Sequence, residues 1–420
     1  MRALPPGASA VATNLVAAGA TTYGFLALTA RVLGPEGHAP LAVLWSAVFF
    51  VVPAVWGPLE AEIGRRVAGR AELDLGARPV TRAGVGIALV FGGVIAVVVV
   101  ASSWWLGDAL FSGHPGVAIA LALAVIGFAA NHLMRAAMAG VGAFGAYGAC
   151  VSLDSASRLV LAGVLAVAGV REVVPYALVV AVAPVVPVAV LRRRGAAIAD
   201  GPAERPVDVA RSVGPLVGGQ VFAQALVNGG PIVVAALATA SEQTRASQFL
   251  VALVVARVPL FFFQAVQGSL LPALARHEAA GDVAGFRDQL RRLIVLVTGI
   301  GLAGTLGAWA VGPAAVRFAF GAEFALGHRD LALLAAGAGA FMIATVAAHG
   351  LVALTGHDRV AAGWAVGVLS AAVIVATGDD LLWRVEAGFA GGCAVAAVAL
   401  GTGLSRSFRR WSRRPELSEI

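Results

Sequence analysis

Runs of about 20 predominantly apolar residues follow one another along almost the whole chain, parted by short breaks rich in charge, glycine or proline. A hydrocarbon layer about 30 Å thick is crossed by about 20 helical residues, and a backbone in lipid must satisfy its own hydrogen bonds. Such a chain is constrained to fold as a bundle of transmembrane helices. Composition agrees: of 420 residues, 59% are hydrophobic and 13% charged, and the mean hydropathy is +0.88. Taken in turn, the runs predict twelve spans, centred near residues 21, 51, 94, 127, 160, 182, 225, 259, 302, 343, 369 and 394. The longest break, 192–211, has 20 residues and leaves no room for a soluble catalytic domain. The first run has the outline of a signal peptide, but with no soluble domain behind it we read it as the first span.

The arginines decide what the positive charge means. All 30 basic residues are arginine, the net charge is +7, and the isoelectric point is near 10.7. A nucleic-acid binder gathers such charge on one face, whereas here it is dispersed among loops, so no nucleic-acid partner is expected. With a cytoplasmic N-terminus, 22 arginines fall on the inner side and six on the outer, and only Arg158 and Arg257 remain in mid-span. The positive-inside rule then predicts a multi-pass plasma (inner) membrane protein with both termini cytoplasmic. Trp104, Trp105, Trp309 and Trp383 fall near the outer ends of spans, as an aromatic belt requires. Cys150 and Cys393 lie in apolar runs, so neither a disulfide framework nor a thiol metal site is expected.

The 192–211 break is polar, proline-bearing and basic, and it divides the chain near its midpoint. The expected organisation is an N-terminal six-helix lobe (1–191), a cytoplasmic linker (192–211), a C-terminal six-helix lobe (212–405) and a basic cytoplasmic tail (406–420). An even number of spans per half inserts both halves the same way round. GPLEAEIGRR (57–66) and GSLLPALARH (268–277) are a faint echo of duplication. Residues 276–292 predict a short amphipathic helix on the inner leaflet, with Phe286 and Leu290 turned to the lipid.

Charged and amide side chains inside apolar runs are the candidate site. A charge at the centre of a membrane helix costs about 2.5–3.5 kcal/mol on insertion scales and normally faces a protein interior or a water-filled cavity. Arg257 stands near the middle of the run 247–276, with Gln264 and Gln267 on roughly its face. Asp154 and Arg158 are one turn apart, open to reading as a structural ion pair or as a cavity arginine oriented by a titrating acid. Gln220, Gln224 and Asn228 form a carboxamide stripe at i+4 steps, suited to helix–helix hydrogen bonds or to a ligand's hydroxyls. Asn131, His132 and Arg135 lie near one end of their span, with His132 read as packed and Arg135 as snorkelling. Glu60 and Glu62 are expected to pair with Arg65 and Arg66, and His349 is read as a packed histidine. No HExxH, Walker A, nucleophile elbow or clustered metal ligands occur, so neither an enzyme nor a cofactor is expected.

Two stretches carry a family resemblance. ARVLGPEGHAPLAVL (30–44) resembles the R-x-L-G-x-x-x-(Y/F)-G signature of polysaccharide exporters, with His38-Ala39-Pro40 departing where that family has an aromatic and glycine. LLPALARHEAAGDVAGFRDQLRRLIVL (270–296) is similar to the same family's join between spans 8 and 9. The family is the oligosaccharide-lipid and polysaccharide flippases of the multidrug/oligosaccharidyl-lipid/polysaccharide (MOP) exporter superfamily. The resemblance implies an all-α membrane fold of about 12 helices in two six-helix lobes around a central cavity. It also implies alternating access and a polyprenyl-diphosphate-linked glycan as cargo, with a polysaccharide polymerase or glycosyltransferases as further partners besides membrane lipids. Arg158 and Arg257 would then meet the diphosphate from two sides. A drug/cation antiporter of the same superfamily and a non-transporting envelope-assembly scaffold stand as alternatives.

Overall fold

The computed structural model describes residues 8–195, 199–239, 242 and 244–413, and among these the regular structure is helical, with no strand. In chain order the helices are α1 Ala8–Glu72, α2 Arg78–Ala101, α3 Ser103–Leu110, α4 Pro115–Gly140, α5 Phe144–Val167, α6 Val173–Val182, α7 Val185–Gly195 and α8 Pro206–Asn228. They continue with α9 Gly230–Leu237, α10 Arg245–Ala256, α11 Val258–Ala279, α12 Val283–Ala319, α13 His328–Ala353, α14 His357–Thr377 and α15 Leu381–Trp411. Among the described residues nine helical stretches are long and apolar enough to cross a membrane, and the bent pair α8–α9 makes a tenth. The chain is a multi-pass membrane protein.

The twelve expected centres all fall on helices, but not on twelve separate ones. Two of them share α1, which is interrupted where Gly34 adopts φ 67°. Positive φ is open to glycine at little cost, and Pro35 then starts the second arm at a position where its missing N–H is no loss. The arm 35–72 would be about 57 Å long at 1.5 Å per residue, so its polar end outruns a hydrocarbon core. The run centred at 182 is broken between α6 and α7. Asn131 Nδ2 donates to the Pro184 carbonyl (3.0 Å) and Ser157 Oγ to the Ala183 carbonyl (3.3 Å), satisfying backbone the break sets free.

The chain forms two compact units, 1–221 with 238–247, and 222–237 with 248–420. In the first, α4 is central: it packs on α1, α2, α3 and α6, while α5 also lies along α1. The segment 199–212 belongs to this unit and is tied down by ions. Arg66 donates to Glu62 (2.7 Å), to Glu204, to the Asp208 carbonyl and to Ser212 (both 3.1 Å). Arg70 reaches the Pro202 carbonyl and Glu204 (both 2.7 Å), and Arg78 pairs with Asp200 (2.5 Å).

In the second unit α13 packs on α12 and α15, and α14 lies along α15. Here one expectation is corrected. The basic stretch 283–292 is no separate surface helix but the first turns of the 37-residue α12. Phe286 is fully buried, stacks on Phe408 (5.7 Å) and meets the tilted ring of Trp411 (5.3 Å), while Arg287 lies over the Phe408 ring (5.5 Å). The end of α15 offers this apolar side chain a closer-packed partner than lipid would.

Candidate functional site

Polar side chains gather at two places, one inside each unit. In the first unit Arg158 is 1% exposed. Its Nη2 donates to both carboxylate oxygens of Asp154, at 2.9 and 3.0 Å. Its guanidinium lies 5.2 Å from the Trp45 ring and 6.0 Å from that of Phe128. One turn of helix brings the ions together, and the ring faces supply the remaining electrostatic contact that water would give elsewhere.

A second cluster lies beside it. Nδ1 of His132 is 2.6 Å from Glu60 Oε2, a close contact rather than an aligned hydrogen bond. Arg135 is 3.2 Å from Glu60 Oε1 and donates to the Tyr147 hydroxyl (2.7 Å), which donates in turn to Glu60 (3.0 Å). Two expectations are corrected by this. Glu62 does pair with Arg65 and Arg66, but Glu60 turns into the bundle, because positions two apart on a helix face roughly 200° apart. Arg135 does not snorkel; its guanidinium is held by Glu60 and lies 4.9 Å from the Tyr147 ring. His132 is packed, as its apolar surroundings suggested, and its ring also touches the Glu60 carboxylate.

In the second unit the predicted residues Gln224, Asn228 and Arg257 come together. Asn228 Nδ2 donates to Gln224 Oε1 (2.7 Å), and Arg257 Nη1 donates to Asn228 Oδ1 (3.2 Å). The Arg257 guanidinium also lies 5.6 Å from the Phe389 ring of α15. The run 247–276 is not one helix: Arg257 occupies the break between α10 and α11, with Pro259 in the first turn of α11. The α8–α9 break follows the same pattern, at Gly229 two residues before Pro231, and bends the chain by 64°. Proline withdraws an N–H and clashes with the carbonyl four residues back, so a helix yields just before it. Gly230 is also required there, since a Cβ would stand 2.4 Å from the Phe249 ring.

Gln220 is half-buried on the part of α8 that belongs to the first unit. Gln264 and Gln267 lie outside the described side chains. His349 bonds to the Thr345 carbonyl (2.7 Å), a local helix contact. Glu386 escaped the sequence reading: it is 1% exposed in α15, and its Oε1 has no partner among the described residues. The signal was a single acid inside LLWRVEAGFAGG, masked by its closeness to the charged loop before it. No group of three or more metal-ligating side chains occurs among the described residues.

No protein-family profile matches the chain. Two uncharacterised proteins of Mycobacterium tuberculosis are similar to it. One is 27% identical over 357 residues, covering 81% of this chain and 79% of the relative. The other is 28% identical over 366 residues, covering 85% and 82%. Among solved structures, the inward-facing form of a multidrug resistance MATE family transporter of the MOP superfamily superposes with a TM-score of 0.78. It is 16% identical and is covered to 99%, against 97% of this chain. The outward-facing form of such a transporter gives 0.68 at 15% identity, with 99% of this chain and 96% of that one covered. A MOP superfamily transporter from Pyrococcus furiosus, described as having a binding pocket of reversed polarity, gives 0.68 at 14% identity, covering 98% of this chain and all of that one. The chain therefore has the fold of the MATE transporters of the MOP superfamily.

Proposed function

We propose that the protein is a MOP-type transporter that flips a lipid-linked oligosaccharide or polysaccharide precursor from the inner to the outer leaflet of the plasma membrane. The observation that carries the reading is the Gln224–Asn228–Arg257 group, placed at two proline-induced helix breaks within apolar sequence. Broken helices expose unpaired backbone at membrane depth, an arrangement transporters use to meet polar substrates. A guanidinium suits a diphosphate and carboxamides suit sugar hydroxyls. Polymerase or glycosyltransferase partners would supply and consume the cargo.

The solved neighbours support a second reading, a MATE-like antiporter for drugs or organic cations. A half-buried arginine at the site disfavours a cationic cargo, and this separates the two. Reconstituted protein is assayed for movement of a fluorescent polyprenyl-diphosphate glycan and, separately, of a cationic dye. The expected result is glycan flipping that Arg257→Ala reduces at least tenfold and Arg257→Lys reduces less. Dye exchange without glycan movement would overturn the flippase reading in favour of the antiporter, and neither activity would overturn both.

A further inference from the structure

The buried cluster on α1, α4 and α5 has a charge pattern that a purely structural network does not need. Two carboxylates, Glu60 and Asp154, face two guanidiniums, Arg135 and Arg158, through the contacts given above. Their charges cancel while His132 is neutral. Arginine does not deprotonate in proteins, so His132 is the group beside Glu60 whose ordinary pKa lies nearest neutral pH. Its Nδ1 faces the Glu60 carboxylate and so carries a hydrogen in the neutral ring. Nε2 then holds the lone pair, and it has no hydrogen-bond partner among the described residues.

The Arg158 side chain is 2% exposed, while Asp154 is 15% and His132, Glu60 and Arg135 are 10%, 13% and 20% exposed. The carboxylates and the imidazole are thus all partly open, and of these only an imidazole has an ordinary pKa near neutral pH. We propose that Glu60, His132, Arg135 and Tyr147 form a proton-binding site, in which His132 Nε2 takes up one proton from water and Glu60 holds the resulting imidazolium. The net charge of the site moves from zero to +1, with no bond broken other than that of the donating hydronium. As a device for coupling, the site rests on the transporter reading; as a binding site it does not.

α1 brings Glu60, and α5 brings Tyr147, Cys150 and Asp154, with Cys150 Sγ contacting Asn131 Oδ1 at 3.8 Å. On α2, Arg78 is engaged by Asp200, and Arg82 lies one turn further on. On α6, Tyr176 bonds the Val170 carbonyl (2.9 Å), and α7 has no titratable group over 185–191. Asp108 of α3 lies at the opposite end of α4, where Gly107 packs on Pro115.

The test needs no cargo. Full-length protein in phosphatidylcholine nanodiscs, with ring-labelled histidine, is followed by pH-difference infrared spectroscopy from about pH 4 to 9. The wild type is expected to show an imidazole step coupled to a carboxylate band shift. His132→Gln should remove both features together and leave the remaining six of the seven histidines. Glu60→Gln should keep the imidazole step but move its midpoint down by about one unit or more, since the anion that favours imidazolium is gone. This second variant keeps the proposal testable if His132→Gln does not fold. His349→Gln, the control, should leave the coupled step in place. A coupled step that survives in His132→Gln, or a midpoint unmoved in Glu60→Gln, overturns the proposal. Loss of glycan flipping elsewhere would not, because the spectra report occupancy of the site alone.

Discussion

Two arginines of similar sequence context have different fates in this fold. Arg158 is enclosed by Asp154, Trp45 and Phe128, while Arg257 is half-buried at a helix break and bonded to an amide. The difference predicts opposite responses to mutation. Asp154→Ala leaves a guanidinium buried without its counter-ion, which costs about 3–5 kcal/mol in such pairs. It should lower thermal stability sharply, and Asp154→Ala combined with Arg158→Leu should restore much of it. A double variant no more stable than the single one would show that the pair is not the reason Arg158 is tolerated. Arg257→Ala, by contrast, removes a partly exposed ion and is expected to change melting by far less than Asp154→Ala. Equal losses for both would contradict the contrast drawn from their burial.

Among the elements, caps and breaks set what each helix can do. α12 opens on Asp282, whose Oδ1 accepts from the Gly285 amide (2.7 Å) and whose Oδ2 meets His277 Nδ1 (2.8 Å). The Gly285 amide, and after it the His277 ring, hold the Asp282 carboxyl below the usual carboxylate range. A depressed acid contributes stability that is fully present above its unfolded value, about 3.9, and that disappears as pH falls through the folded value. Protection of the first α12 amides against exchange, corrected for intrinsic rates, should therefore hold to below about pH 4 in the wild type. It should be reduced throughout in Asp282→Ala. At the other break, Gly230→Ala must displace Phe249, and should lower stability by about 1–3 kcal/mol as overpacking does.

At the scale of the whole molecule, the arginine distribution predicts which side of the membrane each loop occupies. A single cysteine at Ala199, in a background lacking Cys150 and Cys393, should resist an impermeant thiol reagent in intact cells, while one at Ser112 reacts. Reaction at 199 from outside would reverse the orientation. The segment around 199–204 is also fixed to the first unit by Arg66 and Arg70. Arg66→Ala is expected to expose it, seen as faster proteolysis between 199 and 212 in opened membranes, with the helical content unchanged.

The sequence by itself determined the class of fold, because apolar runs of bilayer length admit few alternatives and arginine is excluded from the middle of all but two of them. It also supplied much of one site, since Gln224 and Asn228 are one turn apart and local spacing places them on one face. Tertiary structure decided what periodicity does not encode. Glu60 and Glu62 look alike in GPLEAEIGRR, yet only the packing of α4 and α5 on α1 gives Glu60 the partners His132, Arg135 and Tyr147. Likewise Arg257 reads as the centre of a helix until Pro259 breaks it, and only the fold brings Asn228, 29 residues earlier, against it. Local geometry follows from neighbours in the chain. The partner of a buried charge is chosen by whichever distant group can neutralise it at the same depth, and that is settled only when the helices pack.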